Sequence, residues 1–460
     1  MKKIRLFKIV FAFCGIVSMF LLTASLAEAQ SRPRKVKDKT TNTNSNTSTP
    51  QPKEEPLLDV VPTNNNSSSK NTGNTNSSNN TGNTSNTSTN STRPRTQPTN
   101  TTNTTASSST TVTTPKVAST ADTTAAFNLF QQKQYDAALK EARRIITLDP
   151  NNSEAWKIAG FSEFYLKQYK EASDDLQKAL ELLRAAKEKD DENIITALAQ
   201  SLARSEQYAK ALPLLTAITN KAGATPDAGL LYLRGLSEYR TGKPADAEKT
   251  FNQVVKLEPK NSPALYLLGQ MAFERNDFTA AIALLQRTTV ADAKNAAAWQ
   301  RLAISYMQRA AISAEEDEAK AKADYQGAVS AAKGLKTAKA DEDSSAFLGQ
   351  VLGTAGMYQE AVVELEKVTV GTKGKYESLY WLGVSYSRLN NFPKAIAAFE
   401  RAAQKNPNEA STFRELGYAH EKMKQYAKAI EAYEKGAKAA PDDTFFPERI
   451  NQLKPFAKKP

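Results

Sequence analysis

The sequence predicts an all-α fold, a solenoid of about nine stacked helix hairpins. Three observations predict it. First, residues 379–441 repeat at a separation of 34: Leu382 returns as Leu416, Gly383 as Gly417, Phe392 as Tyr426, Ala395 as Ala429, Phe399 as Tyr433 and Pro407 as Pro441. Second, an alanine recurs at Ala138, Ala172, Ala211, Ala247, Ala281, Ala328, Ala361, Ala395 and Ala429, and in every case but one an aromatic residue stands three places before it. These aromatics are Tyr135, Tyr169, Tyr208, Phe278, Tyr325, Tyr358, Phe392 and Tyr426; Pro244 is the exception. Third, Pro150, Pro259, Pro407 and Pro441 follow the second helices at the places where a helix must stop, because proline cannot donate the ladder hydrogen bond. A fixed period of this size marks stacked two-helix units.

From the N-terminus, Lys2, Lys3, Arg5 and Lys8 precede an apolar run over residues 9–22, and Ala27 and Ala29 follow as a small-x-small pair. Residues 1–29 therefore read as a secretory signal cleaved after Ala29, so the chain is expected to be exported to the periplasm or the exterior. The open alternative is an uncleaved anchor with the array facing outward, since the run through Leu26 approaches the ~20 residues that span a bilayer. Phe13 before Cys14 argues against lipidation, which needs a small residue there. Cys14 is the only cysteine, so the mature chain has no disulfide, and with a single histidine it cannot assemble a Cys/His zinc site. No metal or cofactor is expected.

Residues 30–120 are dominated by asparagine, threonine and serine and are expected to form a disordered linker. A flexible coil of this length has an end-to-end distance of about 50 Å. Only Leu57, Leu58, Val60 and Val61 form an apolar island in it. A tether bearing a short partner motif and a plain spacer are both open. The net charge of +12 is concentrated here: residues 1–30 carry four basic and one acidic residue, and residues 31–120 carry ten and four, which leaves +3 for residues 121–460. The array is thus nearly balanced. It offers no basic stripe for nucleic acid, whereas the linker can make weak contacts with a membrane surface or an anionic cell-wall polymer.

The repeats are expected over residues 121–441, with residues 442–460 as a C-terminal capping helix and tail. Alanine spacings of 34, 39, 36, 34, 47, 33, 34 and 34 locate two insertions. The larger, over residues 310–324, is made of alanine, glutamate and lysine, so both helices of that unit are predicted to lengthen. The smaller, over residues 185–192, is predicted to extend a second helix in the same way. Phe445, Phe446, Ile450 and Leu453 can share one face of a last helix that covers the open end, as a solenoid requires.

The order of large and small residues, with Gly160, Gly235, Gly269, Gly349, Gly383 and Gly417 on the first helices, resembles the tetratricopeptide repeat family. The resemblance implies a right-handed superhelix whose first helices line an inner, concave groove that holds other proteins. In the unit beginning near Ser262, Leu265, Leu268, Gly269 and Ala272 form the stripe facing the second helix, whereas Tyr266, Gln270 and Phe273 fall on another. Transferred unit by unit, this second stripe gives the candidate partner-binding residues Phe161, Phe164, Tyr165, Tyr232, Tyr239, Arg240, Tyr266, Phe273, Tyr380, Arg388, Arg414 and Tyr418. Aromatic residues and arginine supply much of the binding energy at protein interfaces, so a peptide or partner helix is the expected ligand, with carbohydrate stacking as the alternative. The family's clamp for acidic C-terminal tails is not matched, because Phe161 and Ala197 stand where it needs other residues. A phosphate loop, a nucleophile elbow and a paired-carboxylate domain are all missing from the sequence, so a non-enzymatic scaffold is expected.

Overall fold

A computed structural model describes residues 122–223 and 225–457. The expected signal and linker, including the apolar island, lie outside the described residues. All regular structure among the described residues is helical. The first three hairpins pair α1 (Thr124–Gln131) with α2 (Tyr135–Leu148), α3 (Ser153–Tyr165) with α4 (Tyr169–Ala185), and α5 (Glu192–Arg204) with α6 (Tyr208–Thr219). The next three pair α7 (Ala228–Arg240) with α8 (Pro244–Leu257), α9 (Ser262–Glu274) with α10 (Phe278–Ala291), and α11 (Ala296–Ser313) with α12 (Glu318–Ala338). The last three pair α13 (Glu342–Thr354) with α14 (Tyr358–Val368), α15 (Tyr376–Arg388) with α16 (Phe392–Lys405), and α17 (Ala410–Lys422) with α18 (Tyr426–Ala439), and α19 (Phe445–Ala457) follows. The described residues fall into two compact units, 122–214 and 215–457, divided within α6.

The recurring aromatic is the first residue of its second helix in seven repeats, and Pro244 takes that place in an eighth. Two residues earlier the chain turns through positive φ, at Lys133, Lys167, Glu206, Gly242, Asn276, Gly356, Asn390 and Lys424. The next residue's N–H then reaches back five positions, as Lys243 N to Glu238 O (2.8 Å) and Gln425 N to His420 O (2.9 Å). This is the bond that satisfies the orphan carbonyls at a helix end closed by a left-handed residue. At the opposite junction Asn152, Asn261 and Asn295 cap α3, α9 and α11, their side chains accepting from Ala155 N, Ala264 N and Ala298 N. The hairpin boundaries are thus written in short polar residues that satisfy helix ends.

All nine recurring alanines are fully buried. The first-helix glycines stand against the residue 16 positions later: a Cβ added at Gly160 would lie 2.7 Å from Leu176 Cγ, at Gly235 2.8 Å from Phe251 Cε1, and at Gly269 2.8 Å from Leu285 Cγ. The two helices of a hairpin therefore meet over a position where only hydrogen fits. Helices α11 and α12 are 18 and 21 residues long, so the larger insertion lengthens both helices of its hairpin. The smaller insertion extends its second helix only in part: α4 is 17 residues long where α2, α8 and α10 are 14. Helix α4 ends at Ala185, and residues 186–191 form a connection in which Lys187 takes positive φ and Arg184 pairs with Asp190 at 2.8 Å. At the end of the array Phe446 and Leu453 of α19 are buried against Ala429 and Tyr433. No helix among the described residues is long and apolar enough to cross a membrane.

Candidate interaction surface

First helices pack on first helices of the next repeat, as α3 on α5 and α13 on α15, so each unit has one side lined by first helices. The candidate residues all lie on first helices, but they differ in what covers them. Phe161 and Phe164 are fully buried and offer nothing to a partner, which corrects the expectation for both. The ring of Phe130 lies 6.3 Å from that of Phe161, and Tyr169 lies 5.8 Å from Phe164, so α1 and the start of α4 close over them. Phe273 is 7% exposed, with Phe278 at 5.4 Å and the Arg301 guanidinium 4.9 Å above its ring. It too is chiefly core.

Tyr165 is partly exposed and stacks on Tyr135 at 4.8 Å with nearly parallel rings. In the other unit, Tyr232, Tyr239 and Tyr266 are half-buried and Arg240 is exposed. The Tyr239 hydroxyl of α7 donates to Glu274 Oε1 of α9 (2.7 Å), and Gln270 Nε2 donates to both that hydroxyl (3.2 Å) and Glu274 (3.0 Å). This network joins two first helices and fixes the ring. Burial, aided by the Glu274 carboxylate, pushes the Tyr239 hydroxyl up to about 12, so it stays a donor throughout the physiological range.

Helices α15 and α17 bring a second group together. Tyr380 stacks on Tyr376 at 6.0 Å, the Tyr376 hydroxyl bonds Thr412 Oγ1 at 2.9 Å, and burial raises both phenols. Arg388 pairs with Glu415 at 3.2 Å, and Arg414 pairs with Asp443 beneath the Phe445 ring, 4.5 Å from its centroid. Tyr418 carries the Lys422 ammonium 5.1 Å over its ring. Both arginines thus hold neighbouring segments together. The sequence reading missed their partners, although a signal was present: Arg388–Glu415, Arg414–Asp443, Arg449–Glu421, Lys336–Glu364 and Arg275–Glu248 are all opposite charges 27–29 positions apart.

A buried charge cluster joins α2, α3 and α4 within residues 122–214. Arg143 Nη2 lies 2.7 Å from both Glu163 Oε1 and Asp175 Oδ2, and both carboxylates are buried. Burial and the adjacent Asp175 push Glu163 up to about 7, and burial raises Asp175 as well. Among the described residues no group of three or more His, Cys, Asp or Glu is placed to hold a metal ion. His420 is buried with its Nδ1 2.8 Å from Gln425 Oε1.

Comparison with curated proteins finds no match. Among solved structures, the C-terminal part of a TPR repeat-containing protein from Cytophaga hutchinsonii is 14% identical, with 64% of this chain and 99% of that one covered and a TM-score of 0.38. YrrB, described as a TPR protein with an unusual peptide-binding site, is 16% identical over 44% of this chain and 99% of its own, with a TM-score of 0.35. Yeast Tom70 is 13% identical over 73% and 93%, with a TM-score of 0.28. These figures describe a likeness of repeated helix hairpins and say nothing about ligands. The tetratricopeptide repeat family itself matches the sequence at residues 196–261, 232–297 and 380–444. Residues 196–297 and 380–444 are therefore tetratricopeptide repeats, and hairpins with the same buried alanine run from α1 to α18, six of them with the glycine contact at Gly160, Gly235, Gly269, Gly349, Gly383 and Gly417.

Proposed function

We propose that this protein is an exported, non-enzymatic scaffold that holds a peptide or helix of another protein against the first-helix side of residues 228–274. A repeat array of this family suits protein interaction, and the observation that carries the finer reading is the α7–α9 surface. Three half-buried tyrosines, Tyr232, Tyr239 and Tyr266, stand beside the exposed Arg240, and Tyr239 is fixed in advance by Glu274 and Gln270. Rings held in place lose little conformational freedom on binding, and a guanidinium offers directed donors to carboxylates or carbonyls. Export rests on the signal-like residues 1–29, and service in the cell envelope follows from export. The test is affinity capture from native cells with the full chain beside a variant carrying Tyr239→Ala, Arg240→Glu and Tyr266→Ala. A defined set of proteins held only by the unchanged chain supports the reading. The same set on both chains, or retention on isolated wall polymer alone, contradicts it.

A further inference from the structure

A second helix and the first helix that follows it are tied at one recurring place. Side chains 20 positions apart, one on each helix, hydrogen-bond at three junctions: Arg143 Nη2 of α2 donates to Glu163 Oε1 of α3 (2.7 Å), Gln286 Nε2 of α10 donates to the Tyr306 hydroxyl of α11 (2.8 Å), and the Tyr386 hydroxyl of α15 donates to Glu366 of α14. Glu400 of α16 and His420 of α17 take the same two places, and repeat Glu366 and Tyr386 at a separation of 34. Both line a groove of about 460 Å³ whose other wall is α18. Here the bond is missing: among the described residues Glu400 has no hydrogen-bond or ion-pair partner.

The proton on the imidazole explains the difference. His420 is buried, and its Nδ1 lies 2.8 Å from Gln425 Oε1, a contact that places the ring proton on Nδ1. A neutral imidazole carries one N–H, so its Nε2 is an acceptor and has nothing to offer a carboxylate. Tyr386 at this place is a donor at every ordinary pH, because burial, aided by the Glu366 carboxylate, pushes its phenol up. The charged groups lining the groove with His420 are Glu400 on α16 and Lys428, Glu431 and Lys435 on α18, and Gln404 adds a neutral amide. Their charges cancel, and Lys435 is held by Glu431 at 2.8 Å. A charged ring therefore gains from a direct partner rather than from the net field. Lys428 leaves room for it: at the preceding junction its counterpart Lys394 lies 3.8 Å from Glu366 Oε1, the same oxygen that accepts from Tyr386.

We propose that His420 and Glu400 form a proton-operated latch. Taking a proton, His420 acquires at Nε2 the donor that Tyr386 carries permanently, and binds the Glu400 carboxylate, which ties α17 to α16 as α15 is tied to α14. Imidazole changes charge between about pH 5 and 8, and a hydrogen bond between ionised groups is shorter and stronger than a neutral one. The bond needs the proton, so its stabilisation is present at the acid end of that range and is lost as pH rises. The latch lies within residues 392–435 and is independent of the partner surface proposed over residues 228–274.

His420 is the only histidine of the chain, so isotope-labelled histidine reports on one ring by NMR. The full chain is titrated between about pH 5 and 8, and exchange of the α16 and α17 amides, corrected for intrinsic rates, is followed at both ends of that range. A ring with both nitrogens protonated is expected at the acid end, with a titration midpoint that falls on Glu400→Gln and stays on Glu431→Gln. Exchange should be several-fold slower at the acid end, and Glu400→Gln should abolish the difference. His420→Tyr, which copies the α14–α15 junction, should give the slow exchange at both ends. A midpoint unmoved by Glu400→Gln, a midpoint moved more by Glu431→Gln, or exchange independent of pH in the unchanged chain would overturn the proposal.

Discussion

Gly383 stands against Phe399 so closely that a Cβ on the glycine would lie 2.6 Å from the ring's Cδ1. The same contact recurs as Gly349 with Leu365, at 2.5 Å from Cγ, and Phe399 itself is fully buried. Glycine is retained in these helices because the partner side chain occupies the volume of its missing methyl.

Gly383→Ala is therefore expected to destabilise its hairpin by about 1–2 kcal/mol, overpacking outweighing the gain in helix propensity. Stability in a stacked array is largely local, so hydrogen exchange of the α15 and α16 amides is the appropriate measurement. Unchanged or slower exchange would show that Phe399 moves aside freely.

Lys424 turns through φ +59° where the equivalent residue two repeats earlier is Gly356 at φ +77°. A side chain in the left-handed region crowds its own backbone. Lys424→Gly should stabilise the last hairpin by up to about 1 kcal/mol, partly offset by the greater freedom of glycine in the unfolded chain. A rise in the denaturant midpoint of residues 410–457 checks it; a fall would mean that the lysine side chain stabilises the turn in some other way.

The repeat fold was legible because its determinants are local and periodic: the buried alanine, the aromatic that opens seven of the second helices, and the proline beyond the end of four. The candidate surface was less legible, because helical phase gives the direction of a side chain but not what the neighbouring repeat puts across it. Phe164 and Tyr239 hold the same place in their first helices, yet Phe164 is closed over by Tyr169 while Tyr239 stays half-exposed. Arg240 and Arg388 likewise share a position, and Arg388 alone meets a Glu415. The smaller insertion does lengthen α4, but not through to residue 192: the chain leaves the helix after Ala185, with Lys187 at positive φ and Arg184 paired with Asp190.

The Arg143, Glu163 and Asp175 cluster makes stability depend on pH. Glu163 has a folded-state value near 7 against an ordinary 4.5, so between these values the folded state binds more protons than the unfolded one. The cluster's contribution is full below about pH 4.5 and is lost as pH rises through about 7. Glu163→Gln should flatten the fall in stability of residues 122–214 between pH 5 and 8, measured by hydrogen exchange corrected for intrinsic rates. A slope identical to that of the unchanged chain would mean that Glu163 is ionised throughout.

Phe446 is fully buried beneath Arg414 and against Tyr433. Phe446→Ala should cost about 3–5 kcal/mol in the last hairpin, the usual range for a large buried ring. Loss of exchange protection confined to α17, α18 and α19 is the expected pattern. Protection unchanged there would deny the helix its role as the end cap.

The measurement that bears most directly on the account is site-specific photocrosslinking in native cells, with benzoylphenylalanine at Arg240 on the first-helix side and, separately, at Lys249 on the exposed face of α8. If the first-helix side of residues 228–274 holds another protein, a defined polypeptide crosslinks from position 240 and not from 249. Equal crosslinking from both positions, or none from 240 while partners are still captured, would contradict it.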